Sequence, residues 1–185
     1  MTCPEVDVGK PRGVLVDQFG RHHVDLRVSV TDRCNLRCTY CMPIDASFMN
    51  QQKLLSFDEV TRCVRVASEM GVRTIRLTGG EPLMRPDLQR LVEQLKQVPR
   101  IKEVALTTNG LLLADQAAGL AQAGLSRLNV SLDSLDESRF EKIARRSGLQ
   151  RILEGLEEAR LQGFRSIRIN AVSIRGLTEQ EIVPL

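Results

Sequence analysis

The 185-residue sequence has no tryptophan and one tyrosine, and aromatic residues make up only 3% of it. Its core must therefore be aliphatic, and a surface that stacks nucleobases on aromatic rings is not expected. No apolar run approaches the ~18 residues that a membrane span needs. The opening MTCPEVDVGK has no apolar signal core and is not arginine-rich, so no targeting segment is visible. A cytoplasmic protein that binds no membrane is the expectation. Charge of one sign is also scarce. Lys and Arg number 26 against 23 Asp and Glu, and a formal charge of +3 does not by itself suggest a nucleic-acid partner. Low-complexity segments, linkers and fixed-period repeats are absent.

What is present is globular: 42% hydrophobic and 26% charged residues, in a length suited to one domain. Residues 1–13 carry Pro4, Gly9, Pro11 and Gly13 with little apolar pattern and read as a loose arm, leaving residues 14–185 as the domain. Short β-branched runs predict strands over 26–30, 74–78, 102–107, 127–132 and 165–172. Helical stripes lie between them. The first opens on a capping box of Ser56 and Glu59 and ends at Gly71. Others run from Pro86-Asp87 to about Gln97, over 112–123, over 136–145 and over 151–162. A second capping box, Thr178 with Glu181, predicts a final helix. Strand–helix passages of this length imply parallel crossovers. The fold class is α/β, with two architectures open: a doubly wound sheet or a partial (βα) barrel. Five strands are too few to close a barrel, which typically takes ~250 residues.

The five cysteines are odd in number and lack a secretory context, so a disulfide framework is a poor reading. Cys34, Cys38 and Cys41 fall in one eight-residue window, C-x₃-C-x₂-C, directly after the first strand. Three thiolates on one loop can converge on one metal centre. An iron–sulfur cubane normally takes four cysteines, so three leave one iron open, as a catalytic metal site requires. Structural zinc fits less well, because no fourth ligand stands at finger-like spacing. His22 and His23 precede the strand and belong to its other end. Arg33 and Arg37 are expected to favour deprotonated sulfurs. Cys63 lies in the first helical stripe and reads as core. Cys3 has no assignable role.

The segment TDRCNLRCTYCMP with TGGEP downstream resembles the radical S-adenosylmethionine (SAM) enzymes. The ordered blocks LRVSVTDRCNLRCTYCMP, IRLTGGEPLMRPDL, LTTNGLLL, LNVSLDSLD and INAV are similar to the GTP 3′,8-cyclase family of molybdenum-cofactor biosynthesis, from about Val14 onward. The resemblance implies a partial (βα) barrel of the radical SAM type. It also implies a [4Fe-4S] cluster on Cys34, Cys38 and Cys41, whose open iron chelates SAM and cleaves it reductively to a 5′-deoxyadenosyl radical. Tyr40, Gly80 and Ser131 match positions that contact SAM. Arg27, Arg76, Thr107 and Arg168 match positions that contact GTP, although relatives usually carry Lys at the place of Arg168.

Plainer roles stand beside each of these. Tyr40 can be a packing residue, Gly79-Gly80 an ordinary turn, and Ser131 or Asp133 a cap. The arginines can pair with acids or face solvent. Arg27, Arg76 and Arg168 nevertheless sit within apolar strands, where an unpaired guanidinium is costly. Converging guanidinium forks suit a triphosphate.

The family continues past this length, with further barrel strands and three more cysteines that hold a second cluster at the guanine. The resemblance thus implies the N-terminal, SAM-cleaving part of a cyclase, as a fragment, a truncated gene product or half of a split enzyme, with GTP as partner and a homodimer or a missing C-terminal half as protein partner. Another radical SAM enzyme, such as a peptide-modifying one, or a non-catalytic iron–sulfur module remain alternatives.

Overall fold

A computed structural model of the chain describes residues 13–181. The arm over 1–12, Cys3 included, lies outside the described residues. Five strands, β1 (Asp25–Ser29), β2 (Thr74–Thr78), β3 (Glu103–Thr108), β4 (Arg127–Ser131) and β5 (Ile167–Asn170), form one parallel sheet in sequential order. Between them lie α1 (Phe57–Glu69), α2 (Leu88–Lys96), α3 (Leu113–Gln122), α4 (Glu137–Ala144) and α5 (Leu149–Leu161). In a parallel sheet built in sequential order, crossovers of one hand put every helix on the same face. The sheet is open. Among the described residues β5 pairs with β4 alone, and Arg168, Ile169 and Asn170 are exposed along that edge.

Strand residues alternate strictly because successive side chains point to opposite faces. Leu26, Val28, Ile75, Leu77, Val104, Leu106, Leu128 and Val130 pack under the helices, with Leu91, Leu95, Leu113, Leu120, Phe140 and Ile152 from the helical side. Burying one such side chain stabilises by about 1.5–3 kcal/mol. The intervening residues, Ala105 apart, are polar: Asp25, Arg27, Ser29, Thr74, Arg76, Thr78, Glu103, Thr107, Arg127, Asn129, Ser131, Arg168 and Asn170. Asp25, Arg27, Ser29, Arg168 and Asn170 are exposed, so this second face is open at both edges. Parallel sheets are usually apolar on both faces. One polar face is what the lining of a ligand-bearing barrel requires, and it decides for the partial barrel over the doubly wound sheet.

The Ser56 capping box forms: the Glu59 carboxylate accepts the Ser56 N–H at 2.7 Å, and the Ser56 hydroxyl accepts the Glu59 N–H at 3.3 Å. Three expectations need correction. Pro86 and Asp87 precede α2 rather than opening it, since Asp87 is left-handed (φ 58°) and offers no side-chain cap. Cys63 is exposed, not core. The buried stripe of α1 runs through Val60, Thr61, Val64 and Ser68, and a residue one before Val64 stands about 100° away from it. Thr178 and Glu181 make no capping box. The Thr178 hydroxyl accepts the Ile174 N–H at 2.6 Å, and only a 3₁₀ turn, Glu179–Glu181, follows. Glu181 turns instead to the Ser134 hydroxyl (2.8 Å), the Leu135 N–H (3.0 Å) and the Arg139 guanidinium (2.6 Å). A charged partner and two donors outcompete one backbone N–H for that carboxylate.

Candidate cofactor and substrate site

Loops leaving the C-terminal ends of β1 to β4 meet around the cysteine segment. The strand-end carbonyls and amides dictate the first contacts. The Val30 N–H donates to Thr78 O at 2.9 Å, the Gly80 N–H to Thr31 O at 2.7 Å, and the Glu81 N–H to Arg33 O at 2.7 Å. The Gly-Gly-Glu turn therefore lies flat against the backbone that leads into Cys34. A Cβ on Gly80 would sit 2.3 Å from Arg33 O, and one on Gly79 would sit 2.3 Å from Thr31 O. No rearrangement of a flexible side chain relieves a backbone clash, so both positions require glycine.

Glu81 is buried and gathers donors. Its carboxylate accepts from the Leu83 N–H (3.0 Å), the Thr108 hydroxyl (2.7 Å) and the Asn109 N–H (2.7 Å). Burial pushes the carboxyl up, while the three donors pull it back. Asn109 passes the contact on: its Nδ2 donates to Asn35 Oδ1 at 2.7 Å and lies 3.8 Å from Cys34 Sγ. From the other side, the Arg37 and Thr39 N–H groups donate to the last carbonyls of α4, Ala144 O (3.0 Å) and Ile143 O (2.9 Å). These carbonyls lack intrahelical partners, and the loop satisfies them. Tyr40 donates through its hydroxyl to Asp133 Oδ2 at 2.6 Å, and the Val172 N–H donates to Asp133 Oδ1 at 2.8 Å. Asp133 is thus a tie between segments rather than a helix cap.

Cys34 and Cys38 are half-buried and Cys41 is exposed. Burial pushes the Cys34 thiol up; it pushes Cys38 up to about 11, with Asp133, Cys34 and Cys41 adding repulsion. Arg33 and Arg37 do not lower these thiols, contrary to expectation. The Arg37 guanidinium is occupied by the carbonyls of Cys34 and Leu36, both at 2.7 Å, and lies over the Phe48 ring at 5.2 Å, as Arg33 does at 6.0 Å. Mutually repelling, partly desolvated thiols need a cation to remain thiolates, which fits a metal cluster. Among the described residues no three or more His, Cys, Asp or Glu side chains close on a single point. A single ion would need its sulfurs within about 2.3 Å of it. A four-iron cubane takes one thiolate at each of several irons, and the three-cysteine loop fits that group.

Of the other residues singled out in the sequence, Ser131, Thr107 and Arg168 stand in the upper part of the sheet, and Gly80 lies in the turn beyond the end of β2. Thr107, Asn129 and Arg168 are in register on the polar face, and Ser131 pairs with Asn170 at its top. Arg27 and Arg76 are in register one row lower, on the same face. The structure thus brings Arg27, Arg76, Thr107, Ser131 and Arg168 to one face of the sheet, with Gly80 beyond its C-terminal end. Tyr40 is the exception, being half-exposed and turned to Asp133. Sequence reading passed over Glu81, Asn109, Asn129 and Arg127. Asn109 and Glu81 stand inside blocks that carried the resemblance. Asn129 and Arg127 are readable from the two-residue alternation of RLNVS.

A family model described as the Radical SAM superfamily matches residues 28–185. The chain belongs to the radical SAM superfamily. The cofactors of its site are accordingly a [4Fe-4S] cluster and SAM. The chain is 52% identical over 173 residues to a GTP 3′,8-cyclase of Rhodopirellula baltica, an alignment covering 92% of this chain and 48% of the relative. It is 46% identical over 180 residues to molybdenum cofactor biosynthesis protein 1 of Drosophila melanogaster, covering 97% of this chain and 32% of the relative. The chain therefore spans half or less of these relatives. Among solved structures, Streptococcus suis SuiB bound to precursor peptide SuiA superposes with a TM-score of 0.70 at 23% identity, over 82% of this chain and 33% of that one. That likeness speaks for the fold. Among the described residues no helix is long and apolar enough to cross a membrane.

Proposed function

We propose that the chain is the SAM-cleaving part of a GTP 3′,8-cyclase, acting in the cytoplasm on GTP in molybdenum-cofactor biosynthesis. The observation that carries this reading is the polar sheet face. Arg27, Arg76, Thr107 and Arg168 stand on it, beneath a three-cysteine loop, in a chain 52% identical to a GTP 3′,8-cyclase. Cys34, Cys38 and Cys41 would hold the cluster, and when bound, cluster and SAM supply the electron and the radical that abstract the ribose 3′ hydrogen before C3′ joins guanine C8.

The chain's own residues do the rest. Gly79, Gly80 and Glu81 fix the cysteine loop through Thr31 and Arg33, and this turn would hold the SAM amino group. Ser131, at the top of β4 on the polar face, would contact SAM as well. Arg27 and Arg76 offer guanidinium forks to phosphate oxygens, which they bind bidentately. Arg168 keeps the positive charge of a lysine and supplies a planar fork in its place. The chain holds a single cysteine triplet, and a C-terminal half with three further cysteines would complete the guanine site.

The test is anaerobic reconstitution followed by SAM cleavage and nucleotide binding. About four irons per chain, 5′-deoxyadenosine formed with a strong reductant, and GTP binding lost in Arg76→Ala support the reading. SAM cleavage with no GTP or ATP binding at low salt would instead mark a radical SAM enzyme for another substrate.

A further inference from the structure

The row that holds Arg27 and Arg76 does not end there. Register aligns Arg27 with Arg76, Arg76 with Ala105, and Ala105 with Arg127. A third arginine therefore stands on the polar face at the same height, with the small, fully buried Ala105 between it and Arg76. Adjacent strands are about 4.8 Å apart, so the Arg76 and Arg127 backbones are separated by roughly 10 Å. Two arginine side chains can close on one chain of phosphates from strands at that separation.

Arg127 is only partly engaged in the structure. Its Nη2 lies 2.6 Å from Glu103 Oε1, but among the described residues neither Glu103 Oε1 nor the buried Arg127 Nε has an aligned hydrogen-bond partner. The side chain is 18% exposed, so water does little for its remaining donors. A guanidinium carries five donors in a planar fork, and a charge left this short of partners inside a protein is costly. Glu103 stands on the same face, in register with Thr74, one row below.

We propose that Arg127 is a further substrate-binding residue that reads the polyphosphate tail of the nucleotide, with Glu103 holding its guanidinium in place until the phosphates take it over. This rests on the GTP reading of Arg27 and Arg76. The recognised chemistry is a polyphosphate, so the base contributes nothing to this contact.

The experiment measures equilibrium binding of inorganic tripolyphosphate, GTP and GMP to the 185-residue chain at low salt, in wild type, Arg127→Ala, Arg127→Lys, Glu103→Gln and Arg76→Ala. Arg127→Ala weakens tripolyphosphate and GTP about tenfold, as loss of one charged hydrogen-bonded pair should. GMP changes much less, and Arg127→Lys recovers part of the loss. Glu103→Gln tightens tripolyphosphate severalfold, a gain that a merely structural ion pair would not produce. If Arg127→Ala fails to fold, Glu103→Gln decides, and unchanged or weaker tripolyphosphate binding overturns the proposal. If Arg76→Ala weakens binding while Arg127→Ala and Glu103→Gln change nothing, Arg127 serves only Glu103 and the GTP reading stands. Absence of tripolyphosphate binding to the wild-type chain overturns both.

Discussion

Tyr40 and Asp133 are joined by a 2.6 Å hydrogen bond across 93 positions of sequence, and Asp133 spends its other oxygen on the Val172 N–H. The bond ties the cysteine loop to the exits of β4 and β5. It also explains why β5 stops at Asn170, since the Val172 donor that could lengthen the ladder is already taken.

Asp133→Asn keeps an oxygen for the Val172 N–H but removes the charged acceptor of the Tyr40 hydroxyl, so that a neutral hydrogen bond replaces a charge-assisted one. That exchange costs about 1 kcal/mol. Asp133→Asn should therefore melt several degrees below wild type and retain less iron after reconstitution and desalting. Tyr40→Phe, whose side chain is half-exposed, should lose less in both measurements. Equal iron retention in Asp133→Asn and wild type would show that the tie does not order the loop.

Gly80 distinguishes two reasons for a glycine. Its missing Cβ faces Arg33 O at 2.3 Å, so even Gly80→Ala should push the cysteine loop aside. The expected outcome is lower iron per chain and a lower melting temperature. A glycine needed only to admit SAM would leave iron content intact and weaken SAM binding alone. Iron analysis beside SAM titration separates the two.

The cysteines divide sharply. Cys34→Ala, Cys38→Ala or Cys41→Ala should each abolish the brown absorbance of the reconstituted chain. Cys63→Ala, on the exposed side of α1, should leave absorbance and melting temperature unchanged. A cluster that survives Cys38→Ala but not Cys63→Ala would overturn the ligand assignment.

Glu181 sets an acid limit. The Leu135 N–H, the Ser134 hydroxyl and the Arg139 guanidinium hold its carboxyl below the usual range, the backbone donor most strongly. A carboxyl depressed by folding contributes stability that is present above its unfolded-state pKa and lost as the pH falls through its folded-state value. Wild type should therefore lose its advantage over Glu181→Gln below about pH 5, with the two melting curves converging as Glu181 protonates. Parallel curves down to about pH 3 would show that the charge contributes nothing.

The fold was legible because its signals are local. Ser56 with Glu59, Gly71 after α1, and β-branched runs before turns each fix an element within a few residues. The cysteine spacing and the Gly-Gly turn located the cofactor end for the same reason. What escaped depends on distance. That Glu181 would leave Thr178 for Arg139 is decided by a helix some 40 positions away. That Cys63 faces outward depends on where the sheet lies relative to α1. Arg127 and Asn129 were visible in RLNVS, but their value comes from lying in register with Arg76 and Thr107, which a single strand does not reveal.

The docking of the cysteine loop on α4 has a consequence for the newborn chain. Arg37 and Thr39 find their acceptors at Ala144 and Ile143, more than 100 positions later. At roughly 5–20 residues per second the ribosome needs on the order of ten seconds to deliver them. During that interval the three thiols have neither their helix nor the Tyr40 tie, and oxidants meet them unprotected. Iron delivered early would meet a loop with no fixed shape, so cluster insertion is expected to follow the folding of the scaffold.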